Sequence, residues 1–61
     1  MTRVEIEVLR LLGKGHTRRE IAKEMGFSES TVRRVIRRLC QYYGCTQTEL
    51  PGVTGKENNG G

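Results

Sequence analysis

Residues 32–43 contain four arginines, Arg33, Arg34, Arg37 and Arg38, and no carboxylate. On a helix turning about 100° per residue, Ser30, Arg33, Arg34, Arg37, Arg38 and Gln41 fall within an arc of about 140°. Val32, Val35, Ile36, Leu39, Cys40, Tyr42 and Tyr43 fill the rest of the circumference. A solvated helix face ordinarily mixes charge signs, because like charges three or four residues apart repel. Guanidinium is also the group that grips a phosphate or the edge of a guanine through two parallel N–H bonds. The chemistry expected of this stripe is recognition of a polyanion, and double-stranded DNA is the partner that uses both kinds of contact.

The other reactive residue types give no comparable constellation. The sequence has no carboxylate pair, Cys/His pair or phosphate-cradling loop, so no enzymatic activity, cofactor or bound metal is expected. Cys40 and Cys45 are separated by four residues, a spacing of neither a zinc knuckle nor a thioredoxin-like pair. Two free, half-buried thiols are the expectation, with a bridge or a metal as the less favoured alternative. His16 is read as a solvent-facing or capping loop residue without a functional role. Tyr42 and Tyr43 are read as core and rim rather than as base-stacking platforms.

Positioning the stripe falls to a short chain. Sixty-one residues with 34% hydrophobic content, no Trp and one Phe form one domain whose core is aliphatic. The net charge is +4. Residues 1–31 carry six Lys/Arg against five Glu, and residues 44–61 carry one Lys against two Glu, so the whole excess sits in residues 32–43. No apolar run approaches a membrane span and no signal peptide is present, which predicts a cytoplasmic, nucleoid-associated protein.

Three helices are predicted from their start signals. Thr2, Thr17 and Ser28 each precede a run with helical apolar spacing, and Glu5 and Glu20 stand three residues after the two threonines, the pattern of a capping box. The first helix is predicted over Arg3–Leu12 with Val4, Val8, Leu9 and Leu12 as its apolar face, ended by Gly13-Lys14-Gly15. The second is predicted over Arg18–Met25 with Ile21, Ala22 and Met25 inward, followed by Gly26 and by Phe27 as a plug at the corner. The third is predicted from Glu29 to Tyr43, stopped by Gly44. Thr46-Gln47-Thr48-Glu49 is a further capping box that opens a short fourth helix, which Pro51-Gly52 is expected to stop within a turn. The fold expected is all-α, a trihelical helix-turn-helix core with a short fourth helix. Residues 1–50 form the domain, and residues 51–61 a flexible tail.

A helix-turn-helix needs a small residue where its helices cross, a residue tolerant of a left-handed backbone in the turn, and a branched apolar residue that locks the second helix onto the first. Ala22, Gly26 and Val32 meet these needs, and Ile21, Met25, Phe27 and Val35 occupy the other inward positions. From Thr2 to Leu50 the chain also resembles the LuxR/GerE-type helix-turn-helix regulators of bacteria. The resemblance is carried by Glu7-Val8-Leu9-Arg10-Leu11-Leu12, by Gly15 and Thr17, by Glu20-Ile21-Ala22, by Ser28-Glu29-Ser30-Thr31-Val32, and by Gly44 with Thr48-Glu49-Leu50.

That resemblance implies a four-helix domain with its third helix in the major groove. Ser30, Arg33, Arg34 and Arg37 match positions that face bases and nearby phosphates, and Lys14, Thr17, Arg18 and Thr31 match positions near the DNA backbone. Arg38, at the edge of the arc, is assigned to phosphate. The chain departs from the family pattern at His16, Val35, Tyr43 and Pro51. Relatives pair through a continued fourth helix, so Pro51 there predicts a monomer or weak homodimer. The reading is sequence-specific DNA binding by a transcription regulator. Its alternatives are an adaptor of this fold that binds RNA polymerase or another regulator, and the DNA-binding element of a recombinase or phage packaging protein.

Overall fold

A computed structural model of the chain describes residues 1–52. Three helices, α1 (Arg3–Gly13), α2 (Arg18–Met25) and α3 (Glu29–Tyr43), pack each against the other two. Among the described residues there is no strand, and no helix is long and apolar enough to cross a membrane.

Each helix begins on the side chain its sequence provides. The Thr2 hydroxyl accepts from the Glu5 N–H (3.2 Å) while the Glu5 carboxylate accepts from the Thr2 N–H (2.8 Å), so two amides with no partner inside the helix are satisfied. Thr17 and Glu20 repeat the arrangement at α2, and the Ser28 hydroxyl accepts from the Thr31 N–H at α3. The α2 and α3 ends are built alike, on Gly26 (φ 72°) and Gly44 (φ 65°). This left-handed backbone strains any residue with a Cβ. Next to each glycine, the Phe27 N–H donates to the Ala22 carbonyl (2.8 Å) and the Cys45 N–H to the Cys40 carbonyl (3.0 Å), the six-to-one bond of a Schellman end.

The core consists of Val8, Leu9, Leu11, Ile21, Ala22, Val32, Ile36, Leu39 and Leu50, with Leu12, Met25, Phe27, Val35, Cys40, Tyr43 and Cys45 packed around it. Ala22 is the buried residue of α2 nearest the turn, a small residue where the motif needs one.

Three expectations about the core need correction. In α1 the inward triad is Val8, Leu9 and Leu11 rather than a face that includes Val4 and Leu12: Val4 lies in the first turn and is exposed, and Leu12 is half-buried. In α3 Tyr42 does not join the apolar side. It is 63% exposed and stacks on Tyr43 with ring centroids 5.1 Å apart.

The third correction concerns the end of the domain. The Thr46–Glu49 box forms, with the Glu49 carboxylate accepting from the Thr46 N–H at 2.9 Å, and Leu50 is carried into the core without residual exposure. The helical backbone then includes Pro51 and Gly52, so this pair does not stop the turn at Leu50. Proline lacks an N–H but keeps a helical φ, and near the start of a helix it removes little. How far the helix runs beyond Gly52, on which the expectation of weak pairing rests, falls outside the described residues. The flexible tail expected over 51–61 falls, from residue 53 onward, outside the described residues.

Candidate nucleic-acid interface

The exposed side of α3 consists of Ser30, Thr31, Arg33, Arg34, Arg37, Arg38 and Gln41, every one exposed, and the buried Val32, Ile36 and Leu39 hold the opposite side against α1 and α2. Among the described residues none of the four arginines forms an ion pair. The carboxylates are engaged elsewhere: Glu7 pairs with Arg10, Glu20 lies 3.7 Å from His16, and Glu29 lies 3.4 Å from Arg19. Arg38 is the exception in degree. Its charge reaches Glu5 and adds to the Thr2 hydrogen bonds that hold the Glu5 carboxyl below its ordinary range. Arg38 thus borders α1, whereas Arg33, Arg34 and Arg37 face solvent.

The residues assigned to the DNA backbone are less uniform. Lys14 is exposed at the end of α1, where its N–H donates to the carbonyls of Arg10 and Leu11. Both polar groups of Thr17 are occupied by its capping box, so an anion arriving at α2 would meet the amides of the following turn instead. The Arg18 guanidinium leans toward the Gln47 side-chain carbonyl at 3.5 Å, bridging α2 to the turn over residues 46–49, the fourth turn. The Thr31 and Ser28 hydroxyls share a 2.9 Å hydrogen bond at the start of α3. All four residues are exposed, but Thr17, Arg18 and Thr31 also have structural partners.

Arg19, to which the sequence assigned no role, also belongs to this surface. Arg19 is 85% exposed at its side chain, and its bond to Glu29 ties the first turn of α2 to the first turn of α3. The contact joins residues ten apart on different helices, which no periodicity within one helix signals. His16, exposed in the loop as expected, has the Glu20 carboxylate 3.7 Å away, four residues on. The Thr17 N–H is the main cause of the lowered pKa of the Glu20 carboxyl, and His16 adds to it. An open depression lined by His16, Glu20, Lys23 and Glu24 mixes both signs, unlike the α3 surface.

The two cysteines are free thiols, both half-buried as expected. Among the described residues no group of three or more His, Cys, Asp or Glu side chains has an arrangement able to hold a metal ion.

Residues 2–47 match the family model of a homeodomain-like domain, a helix-turn-helix DNA-binding type. The match takes in all three helices with both turns between them, and ends short of Leu50. No curated protein matches the chain, and no solved structure does.

Proposed function

The chain belongs to the homeodomain-like domain family, and from that premise we propose that it binds double-stranded DNA sequence-specifically as a bacterial transcription regulator, with α3 in the major groove. The observation that carries this reading is the α3 surface: four arginines on one exposed arc, without ion pairs among the described residues, on a helix whose other side is fixed in the core. A rigid helix with an unbalanced guanidinium face is the shape that a major groove admits, and phosphate is the group that balances its charge.

In this reading Ser30, Arg33, Arg34 and Arg37 face base edges and the phosphates beside them. Lys14, Thr17, Arg18, Thr31 and Arg38 lie along the backbone, and α2 crosses it with its first-turn amides toward a phosphate. Arg19 joins this set, because Glu29 holds it between the two helix starts. The fourth turn, capped by Thr46 and anchored by Leu50, favours the LuxR/GerE branch of the fold, whose resemblance extends to Leu50.

The test is binding to a pool of random duplexes, followed by titration of the selected site against salt. Neutralising four to six phosphates gives a slope of about −4 to −5 for log K against log salt concentration. A recovered consensus together with that slope supports the proposal. A flat slope with no consensus would instead favour an adaptor that uses the same face to bind RNA polymerase or another regulator.

A further inference from the structure

The pair Cys40 and Cys45 plays no part in the proposed DNA contacts, yet it occupies a defined place in the backbone. Cys40 is the fourth residue from the end of α3, and Cys45 follows Gly44, the left-handed residue that terminates the helix. The Cys45 N–H donates to the Cys40 carbonyl at 3.0 Å. With ordinary covalent lengths, a bond of that kind keeps the two Cα atoms within about 7 Å of each other, close to the span that a disulfide bridges. The two positions are also the ones whose side chains touch in a Schellman end. At the end of α2 the same two positions hold Ala22 and Phe27, both in or against the core.

We propose that Cys40 and Cys45 form a dithiol site that a hydroperoxide converts to an intramolecular disulfide across the α3 terminus. Burial first, and then the neighbouring Cys45, raise the pKa of Cys40 and disfavour its thiolate, and the first step is assigned to Cys45. Its thiolate attacks one peroxide oxygen, the O–O bond breaks, and an alcohol or water leaves after taking up a proton, with a sulfenic acid formed on Cys45. The Cys40 sulfur, losing its proton, then attacks the Cys45 sulfur. The S–S bond forms, the S–O bond breaks, and the hydroxyl departs as water with that proton. The two sulfurs lose two electrons and the peroxide gains them.

The proposal has a thermodynamic consequence that separates it from two cysteines that merely lie near each other in sequence. If the fold holds the thiols in bonding geometry, folding raises the equilibrium constant for disulfide formation, and by the closed cycle the disulfide raises the stability of the fold by the same factor. The experiment equilibrates the full 61-residue chain in glutathione redox buffers, folded and in concentrated urea, and reads dithiol against disulfide by intact mass after alkylation. The expected result is a disulfide fraction whose equilibrium constant is about tenfold or more higher in the folded chain. The oxidised chain should also melt at a higher temperature. Hydrogen peroxide should give the same product, lighter by two hydrogen atoms, from wild type and not from Cys40→Ser or Cys45→Ser. Equal or lower disulfide formation in the folded chain, or mainly intermolecular dimers, would overturn the proposal. Cys40→Ala and Cys45→Ala, which can each form a mixed disulfide with glutathione but no intramolecular bridge, control for reaction elsewhere.

Discussion

The two sides of α3 are made by the same fifteen residues and do opposite things. On one side Val32, Ile36 and Leu39 are buried and hold the helix to α1 and α2. On the other, Arg33 and Arg37 and also Arg34 and Arg38 stand four residues apart, so each pair repels its partner by about 0.2–0.5 kcal/mol. The exposed side of α2 avoids this by alternating Arg18, Arg19 and Lys23 with Glu20 and Glu24. A charge pattern that weakens its own helix, on a domain too short to have stability in excess, is explained by a partner that supplies the missing negative charge. Burial and charge can therefore be perturbed separately on one helix.

The largest effect is expected from the buried side. Leu39→Ala removes a fully buried core side chain and should cost about 2–5 kcal/mol of stability. For a chain of this length that is enough to leave much of the population unfolded. Leu50→Ala should cost a similar amount although it lies outside the three helices, since Leu50 too has no exposed surface. Chemical denaturation followed by circular dichroism measures both. A Leu50→Ala chain as stable as wild type would mean that the fourth turn is not part of the cooperative fold.

On the exposed side the loss should appear in binding and not in melting. Arg33→Ala or Arg37→Ala should weaken the preferred duplex by about 1–3 kcal/mol and relax preference at one base pair, as when a bidentate guanine contact is lost. Arg38→Ala, at the border with α1, should weaken all sequences alike and reduce the salt slope by about 1. Arg37→Glu sharpens the contrast, because it ends the repulsion with Arg33 and should melt at or slightly above wild type while binding least. If Arg33→Ala and Arg37→Ala keep both affinity and base preference while folded, α3 does not read the groove.

Much of this division was legible in the sequence. The caps Thr2, Thr17 and Ser28 set all three helix starts, Gly26 and Gly44 set two ends, and the 3.6-residue period separated the arginines from Val32, Ile36 and Leu39. Periodicity gives the direction in which a side chain points, but not whether a neighbouring helix extends far enough to cover it. Val4 and Tyr42 point partly inward near the ends of α1 and α3 and remain exposed, whereas Leu11, on the same flank as Val4 but farther along, is covered. Leu50 was missed as a core residue for a related reason. Its burial depends on where the chain returns after Gly44, which is set by tertiary packing. The Arg19–Glu29 and Arg18–Gln47 contacts cross between elements and leave no local pattern in the sequence.

The smallest expected effect comes from acid, and it separates the helix caps from the arginine stripe. The Glu5, Glu20 and Glu49 carboxyls are held below the ordinary glutamate range, in each case first by the N–H of their capping threonine, at Thr2, Thr17 and Thr46. In the unfolded chain these bonds are absent and the same groups titrate in the ordinary range. Their contribution to stability is therefore complete above that range and is lost as the pH falls through the lowered folded-state values. The guanidinium groups keep their charge throughout. Melting temperature should stay nearly level from neutrality down to the ordinary glutamate range and then decline, by a modest amount because all three carboxylates are exposed to solvent. A chain carrying Glu5→Gln, Glu20→Gln and Glu49→Gln should decline less steeply, since its caps no longer titrate, while general charge repulsion at low pH acts on both chains. An acid decline as steep in the triple variant as in wild type would show that the capping boxes are not the source. At mildly acidic pH, above the onset of unfolding, DNA affinity should be no weaker than at neutrality, because nothing on the exposed side of α3 has changed its charge.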